Sequence, residues 1–407
     1  MKNGIYWWHE PYKLLLFFLI PFYLICSFSL LGESQLIERL HFNYYYFFIG
    51  LVFLLTIVVS SSSLKFVRNT QKRRYIHPLC IDLLFVLCVI GYTAFLYNII
   101  TDRVLITNIL IGNITGNAAK DLVNNVPGIS TFTQAGIAFV ILYYYKYLRE
   151  KAPIRYRYYF FLLWILTIFR SILLSERLAL IEIAVPIVLF QTKKLYDTKF
   201  KYIKLAINGA PYIGTIALYI FFMIAEYSRS WLSFYINKYD TIYEFAADRL
   251  NLYYTTALNN GVGMLEKIDW GTFEGRFTFK WLYNFPLIGN HLSKSILSDQ
   301  GKYRRYLHQY SDLEFNNPSG IYVYFYDWGW AALIVAIILG FLCSLCIDSW
   351  KKEEGLFFCL FPIVFIHLLE IIRIPYLFGG RAILPIGLIV LIFIFSRTTK
   401  IYEKNIY

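Results

Sequence analysis

Four ionisable side chains interrupt the apolar stretch FRSILLSERLALIEIAVP, residues 169–186, and their types could do chemistry. They are Arg170, Glu176, Arg177 and Glu182. A charged side chain at bilayer depth costs at least about 2.5 kcal/mol unless it is paired or hydrated. A guanidinium group can hold phosphate oxygens in a fork of hydrogen bonds, and a carboxylate can accept a proton. The stretch therefore predicts a hydrated, charged site among membrane helices.

Further embedded charges occur late in the chain. His367, Glu370 and Arg373 follow an i, i+3, i+6 spacing, which places them near one face of a helix. Arg381 follows two glycines, and Asp327 lies in YFYDWGW near the start of an apolar run. Two more arginines, Arg229 and Arg249, lie in a long loop.

A diphosphate is the anion that suits such a group of arginines, because guanidinium stays charged and matches phosphate geometry. The candidate diphosphate-binding residues are Arg170, Arg177, Arg229, Arg249, Arg373 and Arg381. An acid near them could remove a proton from an attacking hydroxyl. The candidate catalytic acids are Glu176, Asp327 and Glu370, and the sequence does not rank them.

Plainer interpretations of the same residues stay open. Arg177 and Glu176 could form an ion pair that ends a helix, and Asp327 could cap or pair locally. Glu182 does not share a helix face with Arg177, so it needs a partner from another helix. A histidine such as His367 more often packs than transfers protons.

The composition indicates a multi-spanning membrane protein. Of its 407 residues, 58% are hydrophobic and 16% are charged, against about 25% charged in soluble domains. The net charge of +13 does not indicate nucleic acid, because the charges lie in short loops between apolar runs. The six cysteines lie in apolar runs and predict neither a disulfide framework nor a metal site.

The apolar runs predict an all-α bundle of about ten transmembrane helices. The predicted spans are 12–31, 43–63, 79–100, 129–147, 158–173, 177–192, 203–225, 319–346, 355–374 and 376–396. The run 158–192 is too long for one span, so two short helices with a turn near Leu174 fit better. Basic loops at 64–78, 148–157 and 191–202 alternate with loops that carry few basic residues. This alternation predicts that both termini are cytoplasmic.

One long loop separates the transmembrane segments 1–225 and 319–407. Residues 226–318 are rich in aromatic side chains and are predicted to form a small helical cap on the outer face. The stretch that begins at Tyr227 predicts an amphipathic helix along the membrane surface. Most embedded charges converge on the outer half of the bundle, which predicts a cavity open to that face.

Several common motifs are absent from the sequence. It contains no Walker loop, GxSxG, HExxH or DxD motif, and no sizeable cytoplasmic domain that could bind a nucleotide. An activated donor used on the outer face must therefore arrive already activated, on a lipid. We expect neither a metal ion nor another cofactor.

Three short motifs resemble the Wzy-type O-antigen or capsular repeat-unit polymerases, bacterial inner-membrane glycosyltransferases of the GT-C class. They are RSILLSERLALIE (170–182), DRLNLYYTTALNNG (248–261) and NNPSGIYVYFYDWGWAALI (316–334). Their order and spacing match that family, as does the span pattern across nearly the whole chain. Glu176 departs from the family pattern, which has a small residue there.

The resemblance implies a function. An undecaprenyl-diphosphate-linked chain would be transferred to an incoming lipid-linked repeat unit, with release of lipid diphosphate, on the periplasmic face of the inner membrane. The matching positions are Arg170, Arg177, Arg249, Asn259, Asn260, Asn317, Asp327 and Gly329, and the three asparagines are candidate glycan-binding residues. Partners would be the lipid-linked oligosaccharide, the bilayer and a chain-length regulator protein, without nucleic acid.

Other functions fit parts of the same pattern. An O-antigen ligase would use the same donor and a different acceptor. A flippase for lipid-linked oligosaccharides would place charges in both halves of the membrane and show broken helices near its midplane. Another lipid-linked glycosyltransferase or a non-catalytic scaffold are the remaining alternatives, and a scaffold gives no reason to embed arginines on one side.

Overall fold

The computed structural model describes residues 4–29, 43–63, 74–111, 114, 126, 128–148, 150–173, 176–227, 231, 235–283, 285, 289, 296–311, 313 and 315–398. Most of these residues lie in helices, as expected for apolar runs that must satisfy their backbone hydrogen bonds internally within lipid. Two-residue strands β1 (Arg74–Tyr75) and β2 (Arg397–Thr398) form an antiparallel pair, with Arg74 opposite Thr398.

In chain order, the helices are α1 (Pro11–Ser29), α2 (Tyr44–Ser63), α3 (Pro78–Thr101), α4 (Arg103–Ile111), α5 (Ala135–Tyr147), α6 (Arg155–Leu173), α7 (Arg177–Lys194), α8 (Lys201–Asn208), α9 (Ala210–Glu226), α10 (Ile242–Lys267), α11 (Lys280–Tyr283), α12 (Ile296–Tyr310), α13 (Tyr322–Trp328), α14 (Ala332–Lys352), α15 (Gly355–Glu370) and α16 (Gly380–Phe395). Helix α1 contains a π-helical segment at Leu15–Leu19. Short 3-10 turns lie at Trp7–His9, Ser130–Gln134, Leu195–Asp197, Gly329–Ala331 and Tyr376–Phe378.

Within the described residues, four helical segments are long and apolar enough to cross a membrane. They are Pro11–Ser29, Tyr44–Ser63, Pro78–Tyr97 and the joined α13–α14 segment Tyr322–Lys352. Helices α8 and α9 would together make a fifth span, bent by 70°. These helices are compatible with a multi-pass membrane protein. Every predicted span coincides with a helix or a helix pair, but the count of about ten spans stays a prediction, since helices such as α15 and α16 are short.

The structure confirms that the run 158–192 forms two helices. Helix α6 ends at Leu173 and α7 begins at Arg177, and the two helices pack against each other. This break brings the charged residues near the end of α6 close to those at the start of α7.

The long helix of the cap differs from the sequence-based expectation. It begins at Ile242, after the N-cap Thr241, whose hydroxyl accepts a hydrogen bond from the Glu244 backbone N–H at 3.2 Å. Residues 228–230 and 232–234 of the surface helix predicted from Tyr227 lie outside the described residues. The non-helical residues 236–241, which include a turn, separate that stretch from α10, so the prediction of one continuous helix is wrong. Every residue from 254 to 265 is buried, and the helix packs against α1, α9 and α13. The segment TTALNNGVGML has mostly small, uncharged side chains on every face of the helix. Such a helix is suited to being surrounded by protein rather than lying on a surface.

Close helix crossings need glycine at two positions. A Cβ atom at Gly261 of α10 would lie 2.7 Å from the Tyr322 Cβ, and one at Gly340 of α14 would lie 2.8 Å from the Ser60 Cβ. Side chains at either position would push the helices apart. Gly261 thereby lets the cap helix α10 lie directly against α13 and against Pro318, which precedes α13.

Candidate functional site

A buried charge cluster joins the ends of six helices on the side of the bundle where the cap lies. Its members come from α6, α7, α9, α10, α15 and α16 or from the residues next to them. They are Arg170, Glu176, Arg177, Glu182, Glu226, Arg249, Glu370, Arg373 and Arg381. The cluster brings eight of the charged residues that the sequence singled out together with one further residue, Glu226. It contains five arginines and four glutamates.

Glu176 bridges two arginines. Its carboxylate accepts a hydrogen bond from Arg170 Nε at 2.8 Å and lies 3.6 Å from an Arg381 guanidinium nitrogen. Arg170 also donates to the Thr133 hydroxyl at 2.8 Å, and its guanidinium lies over the Phe95 ring at 4.4 Å. Arg170 is thus held on several sides by protein groups.

Glu182 has the interhelical partner that its helix position demands. Arg381 of α16 donates to both of its carboxylate oxygens, at 2.8 and 2.7 Å. This fork geometry is the strongest form of an arginine–carboxylate pair. The pair fastens α7 to α16 across their buried faces.

Glu226 was missed by the sequence reasoning. It is the last residue of α9, is 0% exposed, and pairs with both Arg177 of α7 and Arg249 of α10, the latter at 3.0 Å. Arg177 also lies over the Phe222 ring, at 3.8 Å. The signal in the sequence was a single carboxylate at the end of an apolar run, which had to balance embedded arginines elsewhere.

Glu370 and Arg373 pair with each other, and they link the ion pairs around Arg381 to those around Glu226. Their side chains approach to 3.0 Å, as their i, i+3 spacing predicts. Arg373 lies over the Tyr253 ring at 4.4 Å, and Arg177 lies over the same ring at 5.6 Å. Glu370 is also within electrostatic reach of Glu182 and Arg381.

The pairing limits what most of these arginines can bind. Arg170, Arg177, Arg249 and Arg373 are buried or nearly so, and each already contacts a glutamate. A phosphate would have to displace that carboxylate and open the packed helices. Arg381 is different, because its side chain is 30% exposed and it lines a cavity.

That cavity, here called the cap cavity, has a volume of about 730 Å³, within the usual range of about 300–1,000 Å³ for ligand sites. It lies between the cap and the connection from α15 to α16. Among the described residues that line it, four are cationic and none is acidic. The cations are Arg276, Lys280, Arg304 and Arg381, with Trp281, Tyr303, Phe277, Asn316 and Asn317 beside them.

Asp327 holds one wall of the cap cavity in place. Its buried carboxylate accepts hydrogen bonds from the Thr278 backbone N–H at 2.6 Å and from the Thr278 hydroxyl at 2.7 Å. The Phe277 backbone N–H donates to it at 3.1 Å. This geometry makes Asp327 an anchor for the loop that carries Arg276 and Lys280. Asp327 is not among the residues that line the cavity, so its predicted role as a base has no support from this geometry.

The candidate asparagines fall into two groups. Asn260 donates to the Phe315 and Asn317 backbone carbonyls at 2.6 and 3.2 Å, and accepts from the Ser311 hydroxyl. Asn259 and Asn260 are fully buried, whereas Asn317 lines the cavity. Asn260 therefore positions the segment from which Asn317 reaches the cavity.

Tyrosines of the cap supply apolar surface with hydroxyl groups. Tyr303 stacks on Tyr306 with ring centroids 5.9 Å apart, and it packs edge-on against Phe277 at 5.6 Å. Burial raises the pKa of the Tyr303 hydroxyl, and the neighbouring Tyr306 acts in the same direction. The hydroxyl therefore stays neutral and can donate, here to the Asn316 carbonyl at 3.0 Å.

A second cavity, here called the apolar cavity, has a volume of about 400 Å³ and lies between α1, α7, α9 and α15. Small residues of α9, such as Ala210, Gly214 and Ala217, form part of its wall. Nearly all of its lining is hydrocarbon, apart from Glu370 and two hydroxyl side chains. Glu370 lines the apolar cavity and Arg381 lines the cap cavity, so the charge cluster connects the two.

Three cavity cations were missed by the sequence reasoning, and one candidate cannot be placed. Arg276, Lys280 and Arg304 lie in the stretches RFTFKW and YRRY, where basic residues alternate with aromatic ones. That interleaving was the available signal. Arg229 lies outside the described residues.

The described part of the chain contains no group of three or more histidine, cysteine, aspartate or glutamate side chains that could hold a metal ion. Comparisons of the chain with protein-family models, with curated proteins and with solved structures give no significant match. Membership of the polymerase family therefore stays a prediction from the motifs.

Proposed function

We propose that this chain is a repeat-unit polymerase of a bacterial surface polysaccharide, a glycosyltransferase that joins lipid-diphosphate-linked oligosaccharides. The observation that carries the proposal is the cap cavity, where four cations, aromatic rings and amides surround a space large enough for sugars. A glycan with an anionic leaving group needs these three kinds of contact. The apolar cavity, which the charge cluster links to the cap cavity through Glu370 and Arg381, fits the hydrocarbon of a lipid carrier.

The proposed reaction is a nucleophilic displacement at an anomeric carbon. A hydroxyl oxygen of the incoming repeat unit bonds to the reducing-end carbon of the growing chain. The bond from that carbon to the phosphate oxygen breaks, and undecaprenyl diphosphate leaves with the bonding electrons. The hydroxyl proton passes to a protein base, and cations stabilise the charge on the leaving diphosphate without a metal ion.

Glu176 is the best placed of the three candidate bases. Like Asp327 and Glu370, Glu176 is not among the residues that line the cap cavity, but its side chain is 18% exposed and lies 3.6 Å from Arg381, which does line it. Asp327 is committed to the Thr278 loop, and Glu370 lines the apolar cavity. In this assignment Arg381 contacts the diphosphate, and Glu176 accepts the proton directly or through one water.

The proposed setting is the bacterial inner membrane. About ten spans would form a GT-C-like bundle with both termini in the cytoplasm, and the cap would face the periplasm. The remaining arginines of the cluster would hold the helix ends together beneath the cap. A chain-length regulator protein is the expected partner, besides the lipid-linked substrates.

Deletion of the gene in the source strain tests the function. We expect single repeat units on the terminal acceptor, and restoration of long polymer by the wild-type gene, both read on a gel. Full-length polymer that stays on the lipid carrier would instead identify a ligase. Lipid-linked repeat units that accumulate inside the cell would identify a flippase.

A further inference from the structure

The four cations of the cap cavity come from two different parts of the chain. Arg381 belongs to α16 of the bundle, whereas Arg276, Lys280 and Arg304 belong to the cap. A lipid-linked substrate enters with its diphosphate closest to the hydrocarbon region. Arg381 belongs to the same charge cluster as Glu370, which lines the apolar cavity, and the two are within electrostatic reach of each other. Of the four cavity cations, Arg381 is therefore the one that a membrane-anchored diphosphate reaches first.

The cap cations therefore lie where the sugars of the substrate would be. Lys280 and Arg304 are exposed side chains, and no ion pair to a described residue holds either of them. Arg276 pairs with Glu274, which is not among the residues that line the cavity. Like charges that share one cavity repel each other, and a bound anion removes this penalty.

The surroundings of these cations are suited to a saccharide. The Trp281 and Tyr303 rings offer flat apolar surface against which the C–H faces of a sugar ring can pack. The Asn316 and Asn317 amides can exchange hydrogen bonds with its hydroxyl groups. A sugar that also carries a carboxylate would satisfy the rings, the amides and the cations together.

We propose that the repeat unit handled by this chain contains a negatively charged sugar, and that Lys280 and Arg304 bind its carboxylate. This inference rests on the proposed function, because it assumes that the cap cavity receives the glycan. It assigns specificity for acidic oligosaccharides to two residues of the cap.

A binding measurement tests the inference without requiring turnover. The probe is the free repeat-unit oligosaccharide, prepared by partial hydrolysis of the surface polysaccharide of the source strain, and its composition is determined by mass spectrometry. A second probe is the same oligosaccharide after chemical reduction of its carboxylates to alcohols. Both are titrated by calorimetry into the full-length protein in lipid nanodiscs, as wild type and as Arg304→Gln and Lys280→Gln.

Three results are expected together. The oligosaccharide contains an acidic sugar, and each substitution weakens its binding about tenfold, the size of one charge-assisted hydrogen bond. Reduction of the carboxylates weakens binding to the wild type by a similar factor. The substitutions then have no further effect on the reduced probe, because the two changes remove the same interaction.

Arg305→Gln is the matched control, since Arg305 is the next residue on α12, is also exposed and does not line the cavity. A neutral repeat unit, or equal binding of the two probes by the wild type, overturns the inference. It is also overturned if Arg304→Gln weakens binding of inorganic diphosphate but not of the oligosaccharide, because the cations then hold the diphosphate. A failure of the proposed function appears separately, as unchanged polymer after gene deletion.

Discussion

The buried charge cluster and the cap cavity use the same residue type in opposite ways. In the cluster, Arg170, Arg177 and Arg249 each contact a glutamate and are almost completely buried. In the cavity, the described lining contains arginine and lysine without any acid. An arginine embedded among apolar helices is therefore not by itself a sign of an anion-binding site, whereas cations without acids around a cavity are.

The difference has a physical basis. Removing one partner of a buried ion pair leaves an uncompensated charge in a poorly hydrated place, which costs about 3–5 kcal/mol. An exposed cation contributes little to folding, since water already solvates it. Substitution of an exposed cavity cation should therefore cost little stability, whereas the cluster is needed for the helices to pack. Arg381 belongs to both regions.

Glu226→Gln should have the largest effect on stability. It leaves Arg177 and Arg249 facing a neutral amide, and we expect a loss of about 3–5 kcal/mol in the free energy of unfolding. Thermal denaturation of the purified protein and its abundance in the membrane would report this loss. Glu274→Gln, at an exposed carboxylate outside the cluster, is the control. Normal stability of Glu226→Gln would contradict the claim that the buried ion pairs of the cluster hold the helices together.

Arg381→Lys tests the residue that the two regions share. Lysine keeps the positive charge but cannot form the fork with Glu182 or with phosphate oxygens. We expect polymer formation to fall about 100-fold, the effect typical of losing one donor aimed at developing charge. The measurement is the initial rate of polymer formation in membranes that contain equal amounts of protein. An unchanged rate would remove Arg381 from the site.

Two substitutions of Asp327 distinguish an anchor from a base. Asp327→Ala removes the acceptor for the Thr278 loop, so we expect a loss of about 1–3 kcal/mol in stability together with reduced polymer. Asp327→Asn retains one acceptor oxygen and should restore most of both. If Asp327→Asn instead abolishes polymer formation at full stability, Asp327 acts as the base.

The smallest effect on folding is expected at the cap cations. Lys280→Gln and Arg304→Gln should leave the thermal midpoint of unfolding unchanged, because both side chains are exposed. Each should nevertheless raise the substrate concentration for half-maximal polymer formation by about tenfold. Arg305→Gln should change neither quantity. A clear drop in stability for Arg304→Gln would make it a structural residue like those of the cluster.

The sequence predicted where most helices lie, but not which charged side chains pair between them. Runs of apolar residues located α1, α2 and α3 closely, and basic residues at both flanks split 158–192 into α6 and α7. The clustering of embedded charges also followed from the helix positions. These features depend on local composition, which a single sequence records directly.

Pairing depends on tertiary contacts that no local pattern contains. Glu226 pairs with Arg177 and Arg249 only because the start of α7, the end of α9 and the first half of α10 meet. Burial of α10 follows from its packing against α13 at Gly261, although part of its sequence reads as amphipathic. In the sequence, Lys280 and Arg304 resemble ordinary loop charges, and only the fold of the cap shows that both line one cavity.

The most direct test of the central claim is a reaction with purified components. The protein in lipid nanodiscs would be incubated with undecaprenyl-diphosphate-linked repeat units from the deletion strain, and products would be followed by mass spectrometry. The account predicts lipid-linked chains of two or more repeat units, with one undecaprenyl diphosphate released for each new glycosidic bond and without added metal ion. Repeat units that remain single, with folded wild-type protein and intact substrate, would contradict it.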